Sequence, residues 1–180
     1  MCIRDSNSIS PVAKAYFANN LIPITPSGFL FPQAPEIANY NEYLGKIDYN
    51  ITSRDILGFT FTHQLYPQYY PFWNNNVPGF PVTRGDDTFS GTLAYTHTFT
   101  PALLNELRVT AQRVDHKQDI PANTQPFAAQ LGIAITPDQN TGPPIMFFDG
   151  TGMTVGYSYQ GPTREVNNTY ACLLYTSRCV

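Results

Sequence analysis

The stretch GTLAYTHTFTPALLNELRVTAQ, residues 91–112, decides how the chain is read. Apolar residues fall on every second position, stop at Thr100-Pro101, and resume in the same rhythm after it. Phe89, Leu93, Tyr95 and Phe99 share one face, backed by Thr88, Ser90, Thr92, Thr96 and Thr98. Beyond the turn TPAL (100–103), Leu107, Val109 and Ala111 alternate with Glu106, Arg108, Thr110 and Gln112. A repeat of two is the strand period. A helical register would place Thr96 and His97 on the stripe begun by Phe89 and Leu93, so the helix reading fails. Two structures satisfy the alternation: a soluble sheet packed on a core, or strands with lipid on one side and water on the other.

The same rhythm runs upstream. Tyr43, Gly45, Ile47, Tyr49 and Ile51 oppose Lys46, Asp48 and Asn50; after the polar turn TSRD (52–55), Leu57, Phe59 and Phe61 oppose Gly58, Thr60, Thr62 and Gln64. Long loops are expected over 65–86 and from 115 to about 152, then a short strand around 153–159 and a weaker one from Val166. Residues 10–20 predict a short helix, with Ser10 as N-cap, Pro11 at the first helical position, and Val12 and Tyr16 on one face. Five prolines and glycines (Pro23, Pro26, Gly28, Pro32, Pro35) make 21–39 an ordered loop.

Tight turns therefore alternate with long loops, which puts every long loop on one side of an up-and-down antiparallel meander. Outer-membrane barrels have that asymmetry, and strands of about 9–13 residues suit tilted spanning strands better than the soluble norm of about 5–6. The expected fold is all-β: a partial segment of a transmembrane β-barrel with a short N-terminal helix and long loops. Ile47, Tyr49, Leu57, Phe59, Phe61, Phe89, Leu93, Tyr95, Phe99, Leu107 and Val109 are expected to face lipid. Lys46, Asp48, Glu106 and Arg108 are expected to face a wet lumen.

Composition narrows the function classes. Charged residues are 13 % of the chain, about half the usual share of roughly 25 %. Tyr and Phe number twelve each, too many for a disordered chain. The net charge of −3 comes with scattered Lys and Arg, which argues against nucleic acid as a partner. No apolar run approaches the roughly 20 residues of a spanning helix, and MCIRDS lacks a signal-peptide core. Cys2, Cys172 and Cys179 all lie near the chain ends, so no disulfide or zinc framework is expected. Residues 1–6 (MCIRDS) and 172–180 (CLLYTSRCV) resemble translated sequencing-adapter read-through and are set aside from the fold reading. That leaves 7–39 as helix and loop leading into the barrel and 40–171 as the partial barrel.

Several segments in this order resemble TonB-dependent outer-membrane receptors of the Oar-like, carboxypeptidase-regulatory-domain type. They are SPVAKAYFANNLIP, NYNEYLGKIDYNITSRDILGFTFTHQ, the THTFTPALLNELRV hairpin, LGI at 131–133, and GPTREVNNTYA. The resemblance covers nearly all of 10–171. It implies a barrel of about 22 strands closed by an N-terminal plug, and uptake of a large solute powered from the inner membrane. The partners it implies are outer-membrane lipid, a plug domain and the remaining barrel strands of the parent chain, and an inner-membrane energy-coupling complex.

Each candidate site has a plainer competitor. Tyr69, Tyr70, Phe72 and Trp73 in the 65–86 loop suit stacking on sugars or an aromatic ligand, with Asn74, Asn75 and Asn76 bonding hydroxyls. Self-packing or an aromatic girdle explains the same residues. The lumen-side charges fit contact with a plug or solute, or simple cross-strand pairing. His63, His97 and His116 are too dispersed for a metal site. Asp86, Asp87, Asp115 and Asp119 lack calcium-loop spacing and read as solvated loop acids. Arg84-Gly85-Asp86 reads as a turn rather than an adhesion motif. Asn50-Ile51-Thr52 and Asn167-Asn168-Thr169 match the glycosylation pattern, which has no meaning in a bacterial barrel. No nucleophile elbow, phosphate-cradling loop or placed carboxylate pair occurs, so neither an enzyme nor a cofactor is expected. The alternatives are a secreted all-β carbohydrate-binding or adhesion module, and a barrel without energy coupling.

Overall fold

A computed structural model describes residues 9–73, 77–122, 130, 132, 142–148, 150–157 and 162–178. Among the described residues, helix α1 (Pro11–Ala18) precedes eight strands. They are β1 (Ile37–Ala38), β2 (Asn41–Asn50), β3 (Asp55–Tyr70), β4 (Val82–Thr100), β5 (Leu103–Asp119), β6 (Met146–Phe148), β7 (Met153–Val155) and β8 (Thr163–Arg178). The main sheet runs β1-β3-β4-β5-β8, with β2 also paired to β3; β6 and β7 form a separate hairpin. The sheet does not close, and the fold is that of a partial outer-membrane β-barrel.

The strands follow the alternation but exceed it in length. β3 runs on to Tyr70 and β4 begins at Val82, so the loop expected over 65–86 shrinks to 71–81. Pro67 hides this continuation, because a proline in a run reads as a breaker. Its carbonyl accepts from Asn39 N at 3.1 Å. A strand residue's N–H and C=O point to the same side, so the missing N–H faces the β1 side and spares the β4 ladder. β5 likewise reaches Asp119, and the weak strand expected from Val166 is a long one, Thr163–Arg178. Within β8 the alternation stops at Ala171, beyond which Leu173 and Leu174 place exposed apolar side chains on both faces. The strand expected at 153–159 is only Met153–Val155, closed into a hairpin by β6. Leu131 and Ile133 of the LGI motif lie outside the described residues.

The chain divides into two compact units. The strand unit holds Ala38–Pro67, Gly85–Lys117 and the segment from Arg164. Its β2–β3 register is antiparallel, with Ile47 opposite Phe59, Lys46 opposite Thr60 and Asp48 opposite Gly58. Gly58 leaves room there for the Asp48 carboxylate, whose Oδ1 lies 2.9 Å from the position a Cβ would take.

The other unit collects the segment up to Ile37 with Gln68–Arg84 and Gln118–Thr163, the loops that the meander puts on one side. Ser10 Oγ accepts from Val12 N at 3.2 Å and Pro11 opens the helix, as the capping residues dictate. Tyr16, Leu21, Ile22, Val77, Phe80, Val82, Ile120, Val155 and Tyr157 form its buried core. Each such side chain contributes roughly 1.5–3 kcal/mol on burial. Tyr157 Oη donates to Ala122 O at 2.5 Å, and Tyr16 Oη to Pro144 O at 3.3 Å. Gly156, at φ +95°, packs where any Cβ would overlap the Pro144 carbonyl.

Burial pushes both the Tyr16 and Tyr157 phenols up to about 12. Their stabilising contribution is complete below pH 10 and is lost as pH rises towards 12. Ultraviolet difference absorbance should therefore show two of the twelve tyrosines ionising last, together with unfolding of this unit. Ionisation of every tyrosine near pH 10 would contradict the buried placement.

Candidate functional site: a banded sheet face

The strand unit presents two chemically opposite faces. On the first, the rings of Phe61 and Phe89 lie 6.4 Å apart, and the Phe59 ring packs over Gly91, whose Cβ position is 3.7 Å away. Ile47 and Tyr49 oppose Phe59 and Leu57 in the register, adding to this face. It stays uncovered: Ile47 is 69 % exposed, Phe59 44 %, Leu93 45 % and Phe99 53 %. A second sheet covering Leu57, Phe59, Phe61 and Leu93, as a soluble sandwich requires, is not seen among the described residues.

Most polar side chains on this face fall in two rows. In the first, next to the β2–β3 turn, Asp55 Oδ1 accepts from Tyr95 Oη at 2.7 Å and meets His97 Nδ1 at 2.5 Å. The Asp55 carboxylate also accepts from Thr52 Oγ1. Further along this row Asn105 Nδ2 donates to Thr176 Oγ1 at 2.9 Å. In the second row, at the other end of the strands, His63 Nε2 meets Asp87 Oδ1 at 2.8 Å. His63 also stacks on Phe89 at 4.1 Å. Beside them Arg164 donates to Asp115 in bidentate fashion, Nε at 2.9 Å and Nη2 at 2.6 Å.

The rows bracket a nearly apolar band. It spans Asp55 to His63 on β3, Asp87 to His97 on β4, Asn105 to Asp115 on β5 and Arg164 to Thr176 on β8. About ten residues at roughly 3.3 Å rise, tilted about 40°, make a band of roughly 25 Å. That is the height of the apolar belt on an outer-membrane barrel. Asn168, beside Tyr170, and Arg113, two residues before Asp115, are polar side chains within it.

The opposite face is mainly polar, with Ile56 and Ala94 among its apolar members. Lys46, Asp48, Thr60, Thr92, Thr96, Glu106 and Arg108 line a concavity of about 320 Å³. The four expected lumen-side charges thus share one face, but they pair along strands rather than across them. Lys46 Nζ lies 2.9 Å from Asp48, and Arg108 Nε bonds Glu106. Across strands, Thr92 bonds Thr110 at 2.9 Å and Asp86 Oδ1 meets His116 Nδ1 at 2.5 Å.

The aromatic segment differs from the expected loop. Tyr69 and Tyr70 belong to β3, and only Phe72 and Trp73 lie beyond it. Tyr70 and Trp73 meet edge-on at 4.7 Å, and the Arg84 guanidinium sits 4.8 Å over the Trp73 ring. Asn74, Asn75 and Asn76 lie outside the described residues. Arg84-Gly85-Asp86 is part of β4, not a turn.

Sequence reasoning missed the His–Asp pairs. Asp86, Asp87 and Asp115 are not solvated loop acids; they pair with His116, His63 and Arg164 from neighbouring strands. Pairing across strands needs the register, which single-strand periodicity does not give. Among the described residues, no three His, Cys, Asp or Glu side chains gather as metal ligands.

A model of the outer membrane beta barrel domain family matches residues 2–174. The chain belongs to this family. Its place is the bacterial outer membrane, where the band height and the two-faced sheet both fit. No curated protein and no solved structure matches the chain.

Because Asp55 ties the first turn to β4, Asp55→Ala should loosen that turn. Hydrogen exchange checks it: the Ile51 N–H bond to Asp55 O, 2.9 Å long, should open faster while β5 amides stay protected. Unchanged exchange at Ile51 would show the carboxylate bonds to be incidental.

Proposed function

We propose that this outer-membrane barrel segment belongs to an active-transport receptor of the TonB-dependent, Oar-like type, which takes up a large solute with energy from the inner membrane. The observation that carries the reading is the pairing of a banded apolar face with a polar, charge-lined opposite face on one sheet. The first suits lipid and the second a wet lumen. Ile47, Tyr49, Leu57, Phe59, Phe61, Phe89, Leu93, Tyr95, Phe99, Leu107 and Val109 meet lipid in this reading. Lys46, Asp48, Glu106 and Arg108 meet water, a plug or the passing solute.

The role is transport rather than catalysis. The Tyr69, Tyr70, Phe72 and Trp73 cluster lies in the unit that holds the long loops, where a solute first arrives. Tyr and Trp offer apolar area with a polar tip, the combination that a sugar or aromatic solute needs. The parent receptor supplies the further strands that close the barrel, and the plug and energy-coupling box follow from the resemblance.

The face assignment has a direct test in the parent receptor. Leu93→Arg should cost roughly 2–4 kcal/mol near the bilayer midplane, while Thr92→Arg is nearly neutral. Equal tolerance at the two positions, measured by urea unfolding in vesicles, would remove the lipid-facing assignment. Transport itself is tested by solute accumulation in cells carrying the parent gene. Uptake should stop when an uncoupler collapses the inner-membrane potential; uptake that persists would indicate a passive pore.

A further inference from the structure

We infer that Arg113, Lys117 and Arg164 form a binding site for the phosphate of a lipid headgroup at the loop-side end of the apolar band. Arg113 lines a shallow depression with Phe61, Phe89, Ala111 and Tyr170, so it lies on the apolar face. Arg164 shares that face through its bidentate bond to Asp115, and Lys117 Nζ reaches Asp115 at 3.8 Å. Arg113 also lies close enough to act electrostatically on Asp115. Three cations thus surround one carboxylate.

Their hydrogen-bonding is incomplete. Asp115 is only 8 % exposed and its oxygens are occupied by Arg164. The Arg164 and Lys117 side chains remain 60 % and 50 % exposed. The Arg113 side chain, exposed on β5, has no hydrogen bond or ion pair within 4 Å among the described residues. A guanidinium without a partner at the edge of an apolar face is costly in lipid. A phosphate oxygen from the adjoining headgroup layer would satisfy it, and planar bidentate donors favour that ligand. The negative charge nearby does not cancel the site, because Asp87 is bonded to His63 and Asp115 to Arg164. The long loops mark this end of the band as the outer-leaflet side. The ligand class is therefore a phosphorylated lipid of that leaflet.

The inference rests on the assignment of the Phe61–Phe89 face to lipid. The test measures native mass-spectrometric retention of diphosphoryl lipid A by the full chain in zwitterionic detergent. Dephosphorylated lipid A and inorganic phosphate are run alongside. The chain should retain the diphosphoryl form, and R113Q/K117Q should lower retention roughly tenfold, the scale of one charge-assisted hydrogen bond. R113K should keep most of it, and K14Q, at an exposed position of α1, should change nothing. Equal retention by R113Q/K117Q, or equal retention of the dephosphorylated lipid, would overturn the site. Displacement by millimolar inorganic phosphate would show a free-phosphate site and overturn the headgroup assignment. Partitioning of the chain into neutral phosphatidylcholine vesicles is scored separately, so loss of the lipid-facing assignment is distinguishable from loss of the phosphate site.

Discussion

A charge on the lipid face of a barrel strand costs a few kcal/mol at midplane and almost nothing near the interfaces. The placement of most polar side chains on the apolar face follows from that gradient. Asp55, His97 and Asn105 lie at one end of the strands, and His63, Asp87, Asp115 and Arg164 at the other. Between them lie mainly rings and aliphatic side chains, with Asn168 and, near the loop-side end, Arg113 as exceptions. Where a polar atom occurs at the band edge, it is generally bonded to a neighbour on the next strand, which lowers the cost of its partial dehydration. Tyr95 illustrates the compromise, with its ring in the band and its hydroxyl on Asp55.

The backbone imposes the second constraint. Hydrocarbon offers no partners for N–H and C=O groups, so spanning strands must pair on both sides. β3, β4 and β5 have neighbours on both sides, whereas β2 and β8 each have one. Membership of a larger barrel resolves this, because further strands supply the missing partners. The charges on the other face follow from the same architecture. In the proposed reading a wet interior solvates Lys46, Asp48, Glu106 and Arg108, all of which would be costly on the lipid side.

Much of this was legible in the sequence, for physical reasons. Alternation fixed the two faces, since a strand's side chains must alternate whatever its neighbours are. Thr100-Pro101 and TSRD marked the tight turns, and Ser10-Pro11 marked the helix start. Other features were hidden. Pro67 masked the extension of β3, harmless only because its missing N–H points to the β1 side. The His63–Asp87, His97–Asp55 and His116–Asp86 pairs depend on inter-strand register, which no single-strand pattern reveals. The core joining Tyr16 to Val77, Phe80 and Val155 was hidden too, because those residues come from segments far apart in sequence with no shared period.

The central claim is that one face of this sheet meets lipid and the other meets water. Site-directed spin labels placed one at a time along β4, from Thr88 to Thr98, in a membrane-inserted sample test it most directly. Collision with oxygen, which concentrates in lipid, should peak at Phe89, Gly91, Leu93 and Tyr95. Collision with a water-soluble nickel chelate should peak at Ser90, Thr92, Ala94 and Thr96. Two profiles out of phase with a period of two are the expected result. Profiles without alternation, or with both faces shielded from both reagents, would contradict the account and point to a sheet buried in protein.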